Sequence, residues 1–202
     1  TLENRYTLKK LLNSGGQSTE VSIRLDKDKK EVIWKKAKPN VADKSGNLID
    51  YALKFEDEAK ILLKLKEVIN IPNLIEEGKS EDDLSVLIME KMEGSSLEEI
   101  YKHNNRYNEN LFNSEKVIKI ILEIIKPLME MSNFKIYHRD IKPANIILNV
   151  KDKDLELSIV DFGSASEREV AGITSTDTGG NLHASIGWVP PEYMDDNITS
   201  PS

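Results

Sequence analysis

The segment His138-Arg139-Asp140-Ile141-Lys142-Pro143-Ala144-Asn145, followed across residues 146–160 by Asp161-Phe162-Gly163, restricts this chain more than any other feature. Between the two, Ile146 to Val150 and Leu155 to Val160 flank Lys151-Asp152-Lys153-Asp154, the pattern of a β-hairpin with a charged turn. A hairpin brings its two ends together, so Asp161 is expected beside Asp140, Lys142 and Asn145. One carboxylate of such a group can orient a hydroxyl nucleophile. The other carboxylate and the carboxamide oxygen are hard ligands of the kind Mg²⁺ takes. The lysine can neutralise charge on a phosphoryl group in transfer. Phosphoryl transfer relies on positioning and electrostatics, and these are parts that it needs.

The rest of the chain reads as α+β. Tyr6 to Leu12 runs into Asn13-Ser14-Gly15-Gly16-Gln17-Ser18, a turn signal. Val21, Ile23 and Leu25 alternate with polar residues, Asp26 to Lys30 is a charged turn, and Glu31 to Ala37 is a third strand of an antiparallel meander. After a polar connection from Pro39 to Asp50, the spacing of Phe55, Ala59 and Leu62 or Leu63 predicts a helix over Tyr51 to Ile69, stopped by Ile71-Pro72-Asn73. Leu84 to Met89 reads as a buried strand, and Glu93-Gly94-Ser95-Ser96 as a linker with a helix start. A helix from Ser114 to about Ser132 takes Ser114 as its N-cap. Its apolar residues, from Val117 to Met129, cover most of the circumference, so it is expected to be buried on several sides, with a kink or a weak turn at Pro127. Gly163 to His183 reads as a long polar loop.

Composition closes off several classes. With 28 Lys and Arg against 35 Asp and Glu, the net charge is −7, which argues against general nucleic-acid binding. The absence of cysteine excludes disulfides, zinc–thiolate sites and thiol catalysis. No apolar run approaches the ~18 residues that span a membrane, and the first residues lack a signal-type apolar segment. A reducing, cytoplasmic location is the expectation.

At this point the sequence resembles the eukaryotic-type (Hanks-type) protein kinase family, Ser/Thr class. The pattern H-R-D-x-K-P-x-N is complete at His138 to Asn145, and D-F-G is complete at Asp161 to Gly163. The resemblance implies a bilobal fold: an antiparallel sheet plus one helix over residues 1–92, including the hinge, and a partial helical lobe over 93–202. It implies transfer of the γ-phosphate of ATP, with Mg²⁺, to Ser or Thr of a protein substrate. Asp140 is then the base or the group orienting the hydroxyl, Lys142 the phosphate-facing lysine, and Asn145 and Asp161 the magnesium ligands. His138 and Arg139 are structural and regulatory. Val32-Ile33-Trp34-Lys35 resembles the third-strand V-A-I-K, which gives Lys35 the α- and β-phosphates. Lys36 is the neighbouring alternative, and strand alternation favours Lys35. Glu58 resembles the glutamate that pairs with this lysine, with Glu56 and Asp57 as nearby alternatives. Met89 is the gatekeeper, and Glu90 and Met92 belong to the hinge whose backbone binds adenine. Leu12 and Val21 lie above the adenine ring, Ile147 lies below it, and Ile33 lines the same cleft.

The chain also departs from the family. Of the glycine loop G-x-G-x-x-G-x-V only the middle glycine, Gly15, is kept, with Asn13 and Ser18 at the outer positions. Ser185 to Glu192 resembles the closing T-x-x-Y-x-A-P-E with three replacements. Lys142 and Ser185 together favour Ser/Thr over Tyr as acceptor. The chain stops ten residues after Glu192, so a fragment or a truncated kinase is expected, with a partner chain or a missing segment covering the incomplete lobe. Arg139 before Asp140 implies switching by phosphorylation of the loop carrying Ser166, Thr174, Ser175, Thr176 and Thr178. Two alternatives stand beside the kinase reading: a catalytically weak kinase-like scaffold, and a small-molecule phosphotransferase of the same two-lobed fold.

Overall fold

The computed structural model describes residues 1–12, 16–43, 45–103, 113–151 and 154–167. Strands β1 (Thr7–Leu11), β2 (Ser18–Leu25), β3 (Glu31–Ala37), β6 (Leu74–Lys79) and β7 (Ser85–Glu90) form one antiparallel sheet in the order β1-β2-β3-β7-β6. The short pair β4 (Val41–Ala42) and β5 (Leu48–Ile49) precedes α1 (Tyr51–Lys64). Then come β8 (Ser95–Ser96), α2 (Leu97–His103), α3 (Ser114–Asn133), β9 (Ile136–Tyr137) and a 3₁₀ turn at Pro143–Asn145. The hairpin β10 (Ile146–Lys151) and β11 (Asp154–Ile159) follows, and β12 (Ser166–Glu167) pairs with β9.

The central strand β3 works through its two faces, since successive strand side chains point to opposite sides. Val32 and Trp34 pack with Leu2, Tyr6, Val86 and Ile88 in one cluster. Arg24 lies over the Trp34 ring at 3.8 Å and pairs with Glu20 at 3.0 Å, so a cation seals this face. Ile33, Lys35 and Ala37 face the other way, where Phe55, Ala59 and Leu62 of α1 join Leu87, Met89, Met131, Ile136, Ile159 and Phe162 in the main core. That core fastens the sheet to the helical part of the chain. The two parts also meet at Gly94, whose φ is 116°. A Cβ there would stand 2.2 Å from the Leu148 carbonyl oxygen, so only glycine fits this approach to β10.

Several expectations are corrected. Helix α1 ends at Lys64 and not near Ile69: Leu65 caps it, Asn70 turns left-handed at φ 67°, and Pro72 bars helical backbone at the residue before it. The N-cap of α3 is Asn113, whose side chain accepts from the Lys116 N–H, one residue before the expected Ser114. The span of α3 continues through the buried Pro127. Its burial is less complete than its composition suggests, for among the described residues Ile118, Ile121, Leu122, Ile125 and Met129 are exposed. Strand β6 and the β4–β5 pair were not expected from the sequence. The polar loop expected from Gly163 begins with a turn, in which the Ala165 N–H donates to the Phe162 carbonyl, and then with β12. No helix among the described residues is long and apolar enough to cross a membrane.

Trp34 is fully buried. Trp34→Ala is expected to cost about 3–5 kcal/mol, whereas Leu8→Ala on the exposed side of β1 is expected to stay within about 0.5 kcal/mol. Urea unfolding of both variants checks this; similar costs at the two positions would contradict the assignment of Trp34 to the core.

Candidate active site

The β10–β11 hairpin does what its sequence implies. Ile146 pairs with Ile159, and the Val160 N–H donates to the Asn145 carbonyl at 3.0 Å, so Asp161 leaves the hairpin next to Asn145. His138 is buried and brackets the two motif segments. Its Nδ1 accepts the Asp140 N–H at 3.3 Å while Nε2 faces the Val160 carbonyl at 3.1 Å, so the ring is neutral with its proton on Nε2. Burial lowers the His138 pKa, which keeps it in that form. The ring meets Phe162 edge-on at 4.9 Å, which ties Asp140 on one side and Asp161 on the other to a single packed contact. Arg139 and Asp161 both carry left-handed backbone, with φ of 64° and 65°. Such backbone in non-glycine residues costs energy and persists where the surrounding packing enforces it.

Two polar groups result. In the first, Asp140 Oδ2 accepts from Lys142 Nζ at 2.7 Å and from Asn145 Nδ2 at 3.1 Å, and Asn145 Nδ2 also donates to the Asp140 carbonyl at 2.9 Å. The amide end of Asn145 is thus committed to Asp140, and the carbonyl end is the end these bonds do not use. In the second, Lys35 Nζ donates to Glu58 Oε1 at 2.8 Å, to Glu58 Oε2 at 2.9 Å and to Asp161 Oδ1 at 2.8 Å. Lys35 and Glu58 are buried, and the Asp161 side chain is 47% exposed.

The charges follow from the geometry. Burial alone would lower the Lys35 pKa, but Glu58 and Asp161 outweigh it and hold the ammonium above the ordinary lysine value. The nearby Lys35 charge draws the Asp161 carboxyl down to about 2. Burial pushes Glu58 up, against the pull of Lys35. One ammonium therefore serves two carboxylates, and the exposed carboxylate of the two faces solvent.

Lys35 and Lys36 leave β3 on opposite faces. Lys36 pairs with Asp82 at 2.8 Å. Glu56 and Asp57 are exposed on α1, with Asp57 paired to Lys60, so Glu58 is the residue that reaches Lys35. Val21 lies opposite Lys35, and Ile33 lies opposite Met89. Met89 is buried in the main core, while Leu12, Val21, Ile33, Met92 and Ile147 are half-buried. The Leu12 N–H donates to the Val21 carbonyl at 2.8 Å. Glu90 is held to Asn73 twice: its carboxylate accepts from Asn73 Nδ2 at 3.1 Å, and its N–H donates to the Asn73 carbonyl at 2.8 Å. Gly15 lies outside the described residues, as do Ser185, Glu192 and the loop hydroxyls from Thr174 to Thr178. Ser166 is described: it sits in β12 with a buried hydroxyl.

Two features escaped the sequence reading. Asn13 to Val21 is one residue longer than the glycine-loop pattern, and the structure absorbs the excess in a bulge, where the β2–β3 register shifts between Ser18 and Glu20 around Thr19. Counting the segment against the pattern would have found it. Gln17 is the other: its Nε2 donates to the Gly163 carbonyl at 2.9 Å.

The protein kinase domain family model matches residues 6–202. The chain belongs to the protein kinase family. Among its curated relatives are serine/threonine-protein kinase F of Synechocystis sp., 29% identical over 100% of this chain and 41% of that protein, and a serine/threonine-protein kinase of Myxococcus xanthus, 24% identical over 96% and 33%. Calcium/calmodulin-dependent protein kinase type 1 of Macrobrachium nipponense is 27% identical over 96% of this chain and 51% of that protein. The chain thus spans about a third to a half of the length of these relatives. The sheet with α1, and the helices with the β10–β11 hairpin, are the two parts of the bilobal kinase fold that the sequence led one to expect.

Replacing Lys35 with Met removes the cation that opposes the burial of Glu58, so the folded-state pKa of Glu58 rises further above its unfolded value. The folded chain then holds a proton that the unfolded chain releases, and stability falls as pH rises through that interval. Melting temperatures of wild type and Lys35→Met are expected to diverge as the pH rises above the ordinary glutamate range, the variant losing more at the higher pH. A gap that stays constant as the pH rises would contradict the arrangement.

Proposed function

We propose that this site transfers the γ-phosphoryl group of ATP, with Mg²⁺, to a Ser or Thr hydroxyl of a protein substrate. The observation that carries the reading is Lys35 held by both oxygens of the buried Glu58 while it shares Asp161. That grip fixes an ammonium whose remaining reach is toward the solvent-facing carboxylate, where anionic phosphates would be received.

The donor set fits the proposed cofactors. Asp161 supplies a half-exposed, fully ionised carboxylate and Asn145 a carboxamide oxygen, both hard ligands. Among the described residues no three His, Asp or Glu side chains converge into a cage. This agrees with Mg²⁺, which takes one or two protein groups and completes its shell with water and phosphate oxygens. When bound, the ion would supply charge neutralisation for the phosphates. Asp140, fixed by Lys142 and Asn145, is placed to orient the acceptor hydroxyl, and the Lys142 ammonium to stabilise charge on the transferred group. Leu12, Val21, Ile33, Met89 and Ile147 are assigned to the walls of the adenine cleft, the backbone of Glu90 and Met92 to its polar edge, and Gly15 to the phosphate loop. The completeness of the polar set weighs against a scaffold that has lost its chemistry. A cysteine-free chain needs no oxidising compartment, and the proposal places the reaction in the cytoplasm, where ATP is supplied.

Incubation with ATP radiolabelled at the γ-phosphate, Mg²⁺ and myelin basic protein, followed by phosphoamino acid analysis, tests the proposal. Label on phosphoserine or phosphothreonine is expected; no label, or label on phosphotyrosine alone, would overturn it. Asp161→Asn is expected to lose more than tenfold in rate with the fold retained by circular dichroism. Lys35→Met is expected to lose transfer and Lys36→Met to remain near the wild-type rate, and the reverse order would move the phosphate contact to Lys36.

A further inference from the structure

Gln17, the residue before β2, reaches across the site. Its Nε2 donates to the Gly163 carbonyl, and its Oε1 is buried with no hydrogen-bond partner. That oxygen lies 3.1 Å from the point a Cβ on Gly163 would occupy; Lys35 Nζ lies 3.2 Å and Asp161 Oδ1 3.4 Å from the same point. The carboxamide therefore occupies one small volume together with the ammonium and the carboxylate assigned to the nucleotide phosphates. Its orientation is set by chemistry, because a carbonyl oxygen only accepts and so must face the NH₂ end. The backbone of Gly16 and Gln17 is held separately: the Lys38 N–H donates to the Gln17 carbonyl at 3.1 Å, and Lys38 Nζ to the Gly16 carbonyl at 2.8 Å. An acceptor buried without a donor is unfavourable. The closed arrangement thus gains one hydrogen bond and leaves one acceptor unmet, the balance of a contact that is easily displaced.

We propose that Gln17 is a positioning residue of the nucleotide site, a latch whose side chain closes onto Gly163 and is displaced by the phosphates of an incoming nucleoside triphosphate. The inference rests on the reading that those phosphates approach Lys35 and Asp161. The phosphates need the space that the carboxamide fills, so entry breaks the Gln17–Gly163 bond, and the apparent affinity is reduced by the fraction of molecules that are latched. The hydrogen bond alone corresponds to about two- to tenfold in such an equilibrium, and the unmet Oε1 offsets part of it, which leaves about twofold. A nucleoside without phosphates does not enter that space and is indifferent to the latch. Ser18, the first residue of β2, is fully buried, and the neighbouring Gln17 carboxamide is what bridges to Gly163.

Calorimetric titration of the full chain with a non-hydrolysable ATP analogue plus Mg²⁺, and separately with adenosine, tests the latch in wild type, Gln17→Ala and Gln17→Met. The Met variant keeps the volume and removes the donor. Triphosphate affinity is expected to rise about twofold in both variants, with adenosine affinity unchanged. Unchanged or weaker triphosphate binding overturns the latch. So does a gain in Gln17→Ala alone, which would mean crowding without a hydrogen bond, or an equal gain for adenosine, which would mean general loosening. Failure of all three proteins to bind the triphosphate would defeat the phosphate-site reading itself and the latch with it, whereas tight wild-type binding without the variant effect defeats the latch alone.

Discussion

A single buried ammonium organises this molecule. Lys35 sits on the central strand, Glu58 on the helix packed against the sheet, and Asp161 just after the β10–β11 hairpin, and both carboxylates lie within hydrogen-bond distance of the ammonium. Removing one member of a buried ion pair typically costs on the order of 3–5 kcal/mol, because the partner is left charged and dry. The pair is therefore weak evidence for added stability and strong evidence for a fixed arrangement. It makes the position of α1 and the position of the hairpin depend on each other, which allows one strand residue to report on the whole site.

Around that ammonium, apolar packing supplies the rigidity that the polar groups need. Phe162, next to Asp161 in sequence, is fully buried in the cluster that also holds Leu62 of α1 and Met131 of α3. His138 packs on it and carries the backbone of Asp140 and Val160 through its two ring nitrogens. The two carboxylates assigned to the chemistry are thus fixed by one histidine–phenylalanine contact, with left-handed backbone at Arg139 and Asp161 absorbed by the same packing. Side chains that are locked from behind can present their oxygens without further ordering when a ligand arrives, which is the condition under which electrostatic stabilisation is most effective.

Much of this was legible in the residues. The two motif segments carry their own specificity, and the hairpin between them is announced by two apolar runs and a charged turn. Alternation along β3 correctly separated Lys35 from Lys36, since a pleated strand cannot turn both to one face. What was not legible has physical causes. Leu74–Lys79 is an edge strand with two glutamates and a glycine, and its place is fixed by β7 and by contacts of Glu76 with Arg5 and Tyr6, none of which leave a periodic signal. The β4–β5 pair is two residues on each side and is held by the Asp43 carboxylate accepting from the Ser45 and Asn47 N–H groups. Helix α1 was overextended because Leu65 and Val68 remain buried after the helix has ended, so apolar spacing continues past the last helical turn. The contact between Gln17 and Gly163 spans 146 residues and belongs to tertiary structure alone.

The central claim is that Asp161 shares the Lys35 ammonium with Glu58, and its most direct test is the titration of one side chain. Carbon-13 NMR of the Asp161 carboxyl, assigned through the Asp161→Asn variant, reports its ionisation in the folded chain. The arrangement predicts that the carboxyl stays ionised as the pH is lowered past the ordinary aspartate value of 3.8, with its own midpoint at about 2. A midpoint at the ordinary value in the folded protein would mean that Lys35 does not hold Asp161, and the site as described would not exist.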